Sequence, residues 1–386
     1  MNNSVSIKFW NNLSAEATFL LKCSQENLSA DESAELHSLL NENFNWELFK
    51  KLALRSSLGP LCYKSLVAAN NPLVPKSIIL YLENLYNKVL TQNIIILHAF
   101  DQLREIFISN KIPFIPLKGV DLIHHLYNDP GVRGTSDIDI LIKKSDLKKV
   151  RAIFKENNYH ESIVDEYEFI GKLTKNPSPY QYSKNGVNVD LHILLNRADE
   201  HAIGIEQFWL SAKQKNQTYE YELDPDFKFL HLCLHLHKHL YGISFKFIWL
   251  YDLMLMRGHG NLNTERIQQL ATSHHFFTEL NEVLELLQMI YNKSFFGLER
   301  NQCEALNEDI TQKILNFLKE KPLPKTRITS FEYLILETSH LSAWNKLRVA
   351  LGRIFPSPRY LNMRFKSGNN YALGLYRRYF HAFKGY

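Results

Sequence analysis

Apolar residues recur at intervals of three and four over Glu32–Leu40 and Trp46–Leu54, which predicts short helices within the first 72 residues. Asn45 is placed to cap the second of them. Pro75 suits a first helical turn. After it, Ile78, Leu82, Leu85, Val89, Leu97, Leu103 and Ile106 keep near-helical spacing, predicting one long helix to about Asn110. The pattern then changes. Ile112–Leu117 is a short apolar run bounded by Pro113 and Gly119, which reads as a strand, and Gly119–Tyr127 reads as a helix. A turn-rich loop, Asn128 to Ser136, leads into Asp137-Ile138-Asp139-Ile140-Leu141-Ile142, where apolar and polar residues alternate as in a half-buried strand. Ser145 can cap a helix to about Asn157. Tyr180–Ser183 and Val187–Leu195, joined through Asn185-Gly186, read as a hairpin. From Pro225 onward the pattern is helical again, over Phe229–Tyr241, Phe245–Met256, Phe277–Tyr291 and Asn307–Leu318.

This order predicts an α+β fold with a small mixed sheet between helical regions. The boundaries expected are 1–110 for an N-terminal helical region with its connecting helix and 111–224 for the sheet-bearing core. A helical domain over 225–330 and a C-terminal extension over 331–386 follow. No internal repeat is evident.

The chain has 386 residues, 45% of them hydrophobic, with 24 Phe, 19 Tyr and few Gly or Pro, so it can build a sizeable core and is not a low-complexity sequence. Residues 1–20 lack the basic start and apolar run of a secretory signal, and no window nears ~18 apolar residues. A cytoplasmic location is expected. Cys23, Cys62, Cys233 and Cys303 form no CxxC pair. They are expected to be isolated buried thiols in a reducing compartment rather than zinc ligands or disulfides. The net charge of +5 is unevenly spread: Lys346–Tyr386 holds nine basic residues and no acidic one, so the rest of the chain is net acidic.

The candidate chemistry lies in the middle of the chain. Asp137 and Asp139, two apart on a strand, project from one face. On the later strand Asn188, Asp190 and His192 form the polar set, so Asp190 can face the pair across a sheet. Three carboxylates so placed can share divalent cations, which clamp the attacking and leaving oxygens of a phosphoryl displacement. Upstream, Gly119 lets a backbone approach a phosphate closely, at a helix N-terminus that favours anions. A solvated polar strand face would also show Asp-x-Asp; the coincidence with Lys118-Gly119 before it and Asp190 after it favours the metal site.

The stretch PFIPLKGVDLIHHLYNDPGVRGTSDIDILI resembles the bacterial uncharacterised nucleotidyltransferase family, a branch of the superfamily built on the DNA polymerase β-like fold. Val189-Asp190-Leu191-His192, the His-rich helix and Trp249-Leu250-Tyr251-Asp252 extend the resemblance to about Ile112–Asp252, with a weaker echo over Pro356–Tyr360. The resemblance implies a polymerase β-like core that transfers NMP from an NTP to an acceptor and releases pyrophosphate. Asp137, Asp139 and Asp190 would hold Mg²⁺ or Mn²⁺. Lys118, Gly119, Arg133 and Ser136 would bind the triphosphate, and His235, Lys238 and His239 would line the nucleotide or acceptor pocket. The acceptor is open: a small molecule, a peptide or protein, or RNA. The broader superfamily has Gly-Ser where this chain has Gly119-Val120, and a shorter interval to the aspartates. Two other classes stay open, a catalytically silent nucleotide-binding scaffold and a DxD-type glycosyltransferase. Asp252 is expected either to orient a histidine or to be a surface acid. Arg133 is expected on phosphate or on a local acid such as Asp129. His231, His235 and His239 share a helix face but lack the other ligands of a zinc site. The basic, aromatic-rich tail suits nucleic acid or an anionic membrane, with packing on the acidic body the favoured expectation.

Overall fold

The computed structural model describes residues 8–24, 30–163, 180–195, 205–240, 245–259, 262–291 and 308–319, then 343–344, 347, 351, 354–356, 358–366, 368 and 370–383. Cys303 and part of the basic tail lie outside these. The first helices are α1 (Ala15–Cys23), α2 (Ala30–Leu39), α3 (Trp46–Ser56), α4 (Gly59–Ala69) and the long α5 (Lys76–Ser109). Next come β1 (Phe114–Leu117), α6 (Lys118–His125), β2 (Asp137–Ile142), α7 (Leu147–Glu156), β3 (His160–Ile163), β4 (Tyr180–Lys184) and β5 (Val187–His192). The chain continues through α8 (Ile205–Ser211), β6 (Lys213–Gln214), β7 (Tyr221–Glu222), α9 (Pro225–Leu240), α10 (Ile248–Gly258), α11 (Thr264–Ser273), α12 (Phe277–Tyr291) and α13 (Glu308–Leu318). The tail carries α14 (Pro358–Phe365) and α15 (Tyr371–Phe383). The α+β class is as expected; β3, α8, β6 and β7 are additions. Among the described residues no helix is long and apolar enough to cross a membrane.

The elements group into two units. One comprises Met1–Leu97, Asp121–Thr135 and Pro225–Thr326; the other comprises His98–Val120, Ser136–Asp224 and Arg327–Tyr386.

In the first unit, Phe19, Phe44, Trp46 and Phe49 form an aromatic cluster with ring centroids 4.5 to 6.3 Å apart. Asn45 caps α3, its Oδ1 accepting from the Leu48 amide at 3.0 Å, a contact typically worth about 1 kcal/mol. The loop before Asp137 is pinned to α5. Buried Asn93 donates to the Arg133 carbonyl at 2.7 Å and accepts from the Thr135 amide at 3.1 Å. A Cβ at Gly131 would lie 2.3 Å from the Tyr86 ring, so any larger residue there would displace that ring. The cysteine expectation needs correcting for one pair: Cys23 and Cys62 are buried side by side, Sγ to Sγ 3.1 Å, both free. They come from α1 and α4, whose packing sequence spacing does not reveal.

In the second unit a five-stranded sheet runs in the order β1-β2-β5-β4-β3. The β2–β5 pair is parallel and the others are antiparallel. Helix α7 buries Val150, Ile153 and Phe154. Phe154 stacks on Tyr159 and Phe107 and meets Tyr182 edge-on, at 4.6, 5.9 and 4.8 Å. Burying a side chain of this size contributes roughly 1.5–3 kcal/mol. The expected two-residue turn is present: Asn185 and Gly186 both have positive φ, 52° and 81°, as tight hairpin turns of this type require.

Candidate active site

Hairpin register builds the site. The turn fixes the antiparallel pairing so that Gln181 opposes Asp190. Parallel pairing sets Asp190 opposite Asp139, and β1 sets Leu117 opposite Asp139. Leu117, Asp139, Asp190 and Gln181 therefore form one row across four strands, and Lys118 follows Leu117 directly. Lys118 begins α6 with φ 48°, an uncommon conformation for a residue with a side chain. Gly119 is the next residue of that helix.

Lys118 Nζ donates to Asp139 Oδ1 at 2.7 Å, and His192 Nε2 lies 2.7 Å from the same oxygen. Gln181 Nε2 donates to Asp190 Oδ2 at 3.3 Å. Ser136, exposed at the strand's entrance, donates to Asp137 Oδ1 at 3.3 Å. Burial pushes the Asp139 carboxyl upward, but the Lys118 ammonium and the His192 ring overcome it and hold this acid well below the usual carboxylate range. Asp137 goes the other way: burial, then the charges of Asp139 and Asp190, push it up to about 6. Asp190 is likewise raised by burial and by Asp139. Three acids grouped on one sheet face, two of them reluctant to ionise, is what a site prepared for cationic charge looks like.

The ligand atoms of Asp139, Asp190 and His192 all lie within 4.8 Å of one another. Two carboxylates and an imidazole suit a divalent cation. His192 and Gln181 are additions to the residues read from sequence. Both were within reach of it: His192 shares the alternating polar face of Asp190, and counting back from the Asn185-Gly186 turn lands Gln181 opposite Asp190.

Lys118, Ser136, Asp137, Asp139 and Asp190 are thus brought together, with Gly119 adjoining. Arg133 belongs to the first unit. Its guanidinium donates to both carboxylate oxygens of Asp252, at 3.2 and 2.9 Å, and Tyr127 donates to Asp252 at 2.6 Å. Arg133 and Asp252 are buried. Asp252 is therefore neither a surface acid nor a histidine's partner, and Asp129 serves Lys64 and Tyr86 instead. Burial and the Asp252 charge push the Tyr127 phenol well above its ordinary value. On α9, half-buried His235 and His239 pack on Trp249 with ring centroids 5.0 and 4.7 Å away. Lys238 is exposed on the same helix, and His237 meets Glu282 at 2.7 Å.

The arrangement is thus a strand leading into a helix that starts with a lysine, beside two paired strands that each bear an acid. Residues 42–292 match the family described as Uncharacterised nucleotidyltransferase, and the chain belongs to that family. No curated protein and no solved structure matches the chain.

Proposed function

We propose that this protein is a metal-dependent nucleotidyltransferase that moves NMP from an NTP to an acceptor. Residues 111–224 would be its polymerase β-like catalytic core. The observation that carries the reading is the row placing Asp139 beside Asp190, with Asp137 next to them and Lys118 on Asp139.

The fit to Mg²⁺ or Mn²⁺ rests on the donor set. Asp137, Asp139 and Asp190 would hold the cation, with His192 within reach. Bound there, it would neutralise phosphate charge and orient the reacting oxygens. Lys118, Gly119 and Ser136 stand at the same end of the sheet to receive the triphosphate, whereas Arg133, expected on phosphate, is taken up by Asp252. An acceptor oxygen bonds to the α-phosphorus while the α–β bridging bond breaks. Pyrophosphate leaves with the bond's electrons, and the acceptor's proton passes towards Asp190. Most of the rate enhancement comes from positioning and charge neutralisation.

The test is incubation of the protein with each α-labelled NTP, a divalent cation and a host lysate. One NTP should label one class of acceptor, and Asp139→Asn should abolish the labelling. Labelling that persists unchanged in Asp139→Asn would overturn the proposal.

A further inference from the structure

Of the sixteen exposed large hydrophobic residues among the described ones, nine fall between Trp344 and Phe380. They are not scattered. Trp344, Leu347, Leu351 and Ile354 are each helical and exposed, and they recur at intervals of three, four and three. On α15, Leu373, Tyr376 and Phe380 repeat the pattern, with Tyr376 and Phe380 stacked at 5.7 Å. Trp344 is 61% and Tyr376 63% exposed. Helix α15 packs against α14, and Gly374 is buried. The tail therefore turns its greasy side outward, an arrangement soluble proteins rarely keep without something to cover it.

Charge identifies the cover. Lys346–Tyr386 carries nine basic residues and no acidic one. A second copy of such a face would be repelled. Nucleic acid is disfavoured because five of the nine exposed large side chains are Leu, Ile or Trp, aliphatic or bulky groups with no exposed arginine beside them among the described residues. Arg377 is half-buried and folds its guanidinium back onto the carbonyl oxygens of Phe365 and Lys366, at 2.9 and 2.7 Å. Apolar faces of Trp, Leu and Phe set in a cationic sequence match an anionic bilayer surface, with the rings at headgroup level and the basic residues among the lipid phosphates. We propose that the C-terminal helices are a peripheral docking surface for anionic lipid membranes.

The experiment is co-sedimentation of the full chain with vesicles of phosphatidylcholine alone or mixed with phosphatidylglycerol. The protein should pellet with the anionic vesicles, less so at high salt, and remain soluble with the neutral ones. Leu373→Ser with Phe380→Ser should lower partitioning about tenfold or more. Its melting temperature should match the parent's, since both side chains are exposed. The vesicle-induced blue shift of tryptophan fluorescence should shrink in Trp344→Phe, placing that ring in the interface. The proposal is overturned if the chain ignores anionic vesicles, or if the double variant binds them as well as the parent. It is also overturned if the tail's affinity proves to be for RNA in preference to vesicles, or if the substitutions dissolve a dimer without touching lipid binding.

Discussion

Asp139 and Asp190 are register partners on the parallel strands β2 and β5, so two carboxylates stand one strand spacing apart on one face of a sheet. They are not equivalent. Asp139 is gripped by Lys118 and His192, whereas Asp190 accepts a hydrogen bond from the amide of Gln181. One acid is fixed and charged; burial and the Asp139 charge leave the other reluctant to ionise.

That inequality predicts different losses. Asp190→Asn should lower turnover about a hundredfold or more while nucleotide affinity changes little, because Asp137 and Asp139 remain to hold the cation that travels with the triphosphate. Steady-state kinetics and nucleotide titration separate the two effects. Near-normal kcat, or a loss of affinity as severe as in the Asp137→Asn/Asp139→Asn double variant, would remove the role assigned to Asp190.

Asp137 should make the metal-free protein's stability depend on pH. Its carboxyl releases its proton at about 6 when folded, against 3.8 ordinarily. The folded state therefore binds the proton more tightly than the unfolded state. The contribution of this one group to stability is greatest below about pH 4, falls as pH rises towards 6, and stays reduced above it. Asp137→Asn should recover roughly 1–3 kcal/mol at pH 8 and almost nothing at pH 4. Denaturant titrations in a chelator measure both, and a variant with no advantage at pH 8 would contradict the assignment.

On the proposed function His192 would add a nitrogen ligand to an oxygen site. Mg²⁺ prefers oxygen, while softer ions accept imidazole. Mn²⁺ should bind more tightly than Mg²⁺, and His192→Ala should weaken Mn²⁺ about tenfold or more while changing Mg²⁺ less. Calorimetric titration with each ion is decisive, equal losses for both ions being the unfavourable result.

The Arg133–Asp252 pair should be structural in a measurable way. Asp252→Ala leaves a buried guanidinium uncompensated and should cost about 3–5 kcal/mol. Arg133→Met combined with Asp252→Leu should recover most of that loss. If Asp252→Ala costs under about 1 kcal/mol, the pair is more exposed to water in solution than here.

Much of this was legible because it is periodic or local. The strand with Asp137 and Asp139, the Asn185-Gly186 turn and the Asn45 cap follow from rules that act within a few residues. What was hidden depends on distant partners. Nothing near Arg133 points to Asp252, 119 positions away. Nothing in an apolar helix explains why Asn93 should be buried there until it is seen holding the loop. The alternation of β2 also misleads at its far end, where Leu141 lies on the carboxylate side yet is fully buried.

The row through Asp139, Asp190 and Gln181 has a bearing on which changes this chain can survive. Point substitutions in the Asn185-Gly186 hairpin would disturb only local geometry. Loss or gain of a single residue there, with the pairing shifted by one, would turn Asp190 and His192 towards the helix-covered side and bring Val189 out in their place. Length, more than composition, is then the inherited property of that loop. Insertions would be tolerated in pairs or not at all, and an innocuous-looking bend far from any phosphate would mark lineages in which the chemistry had been abandoned.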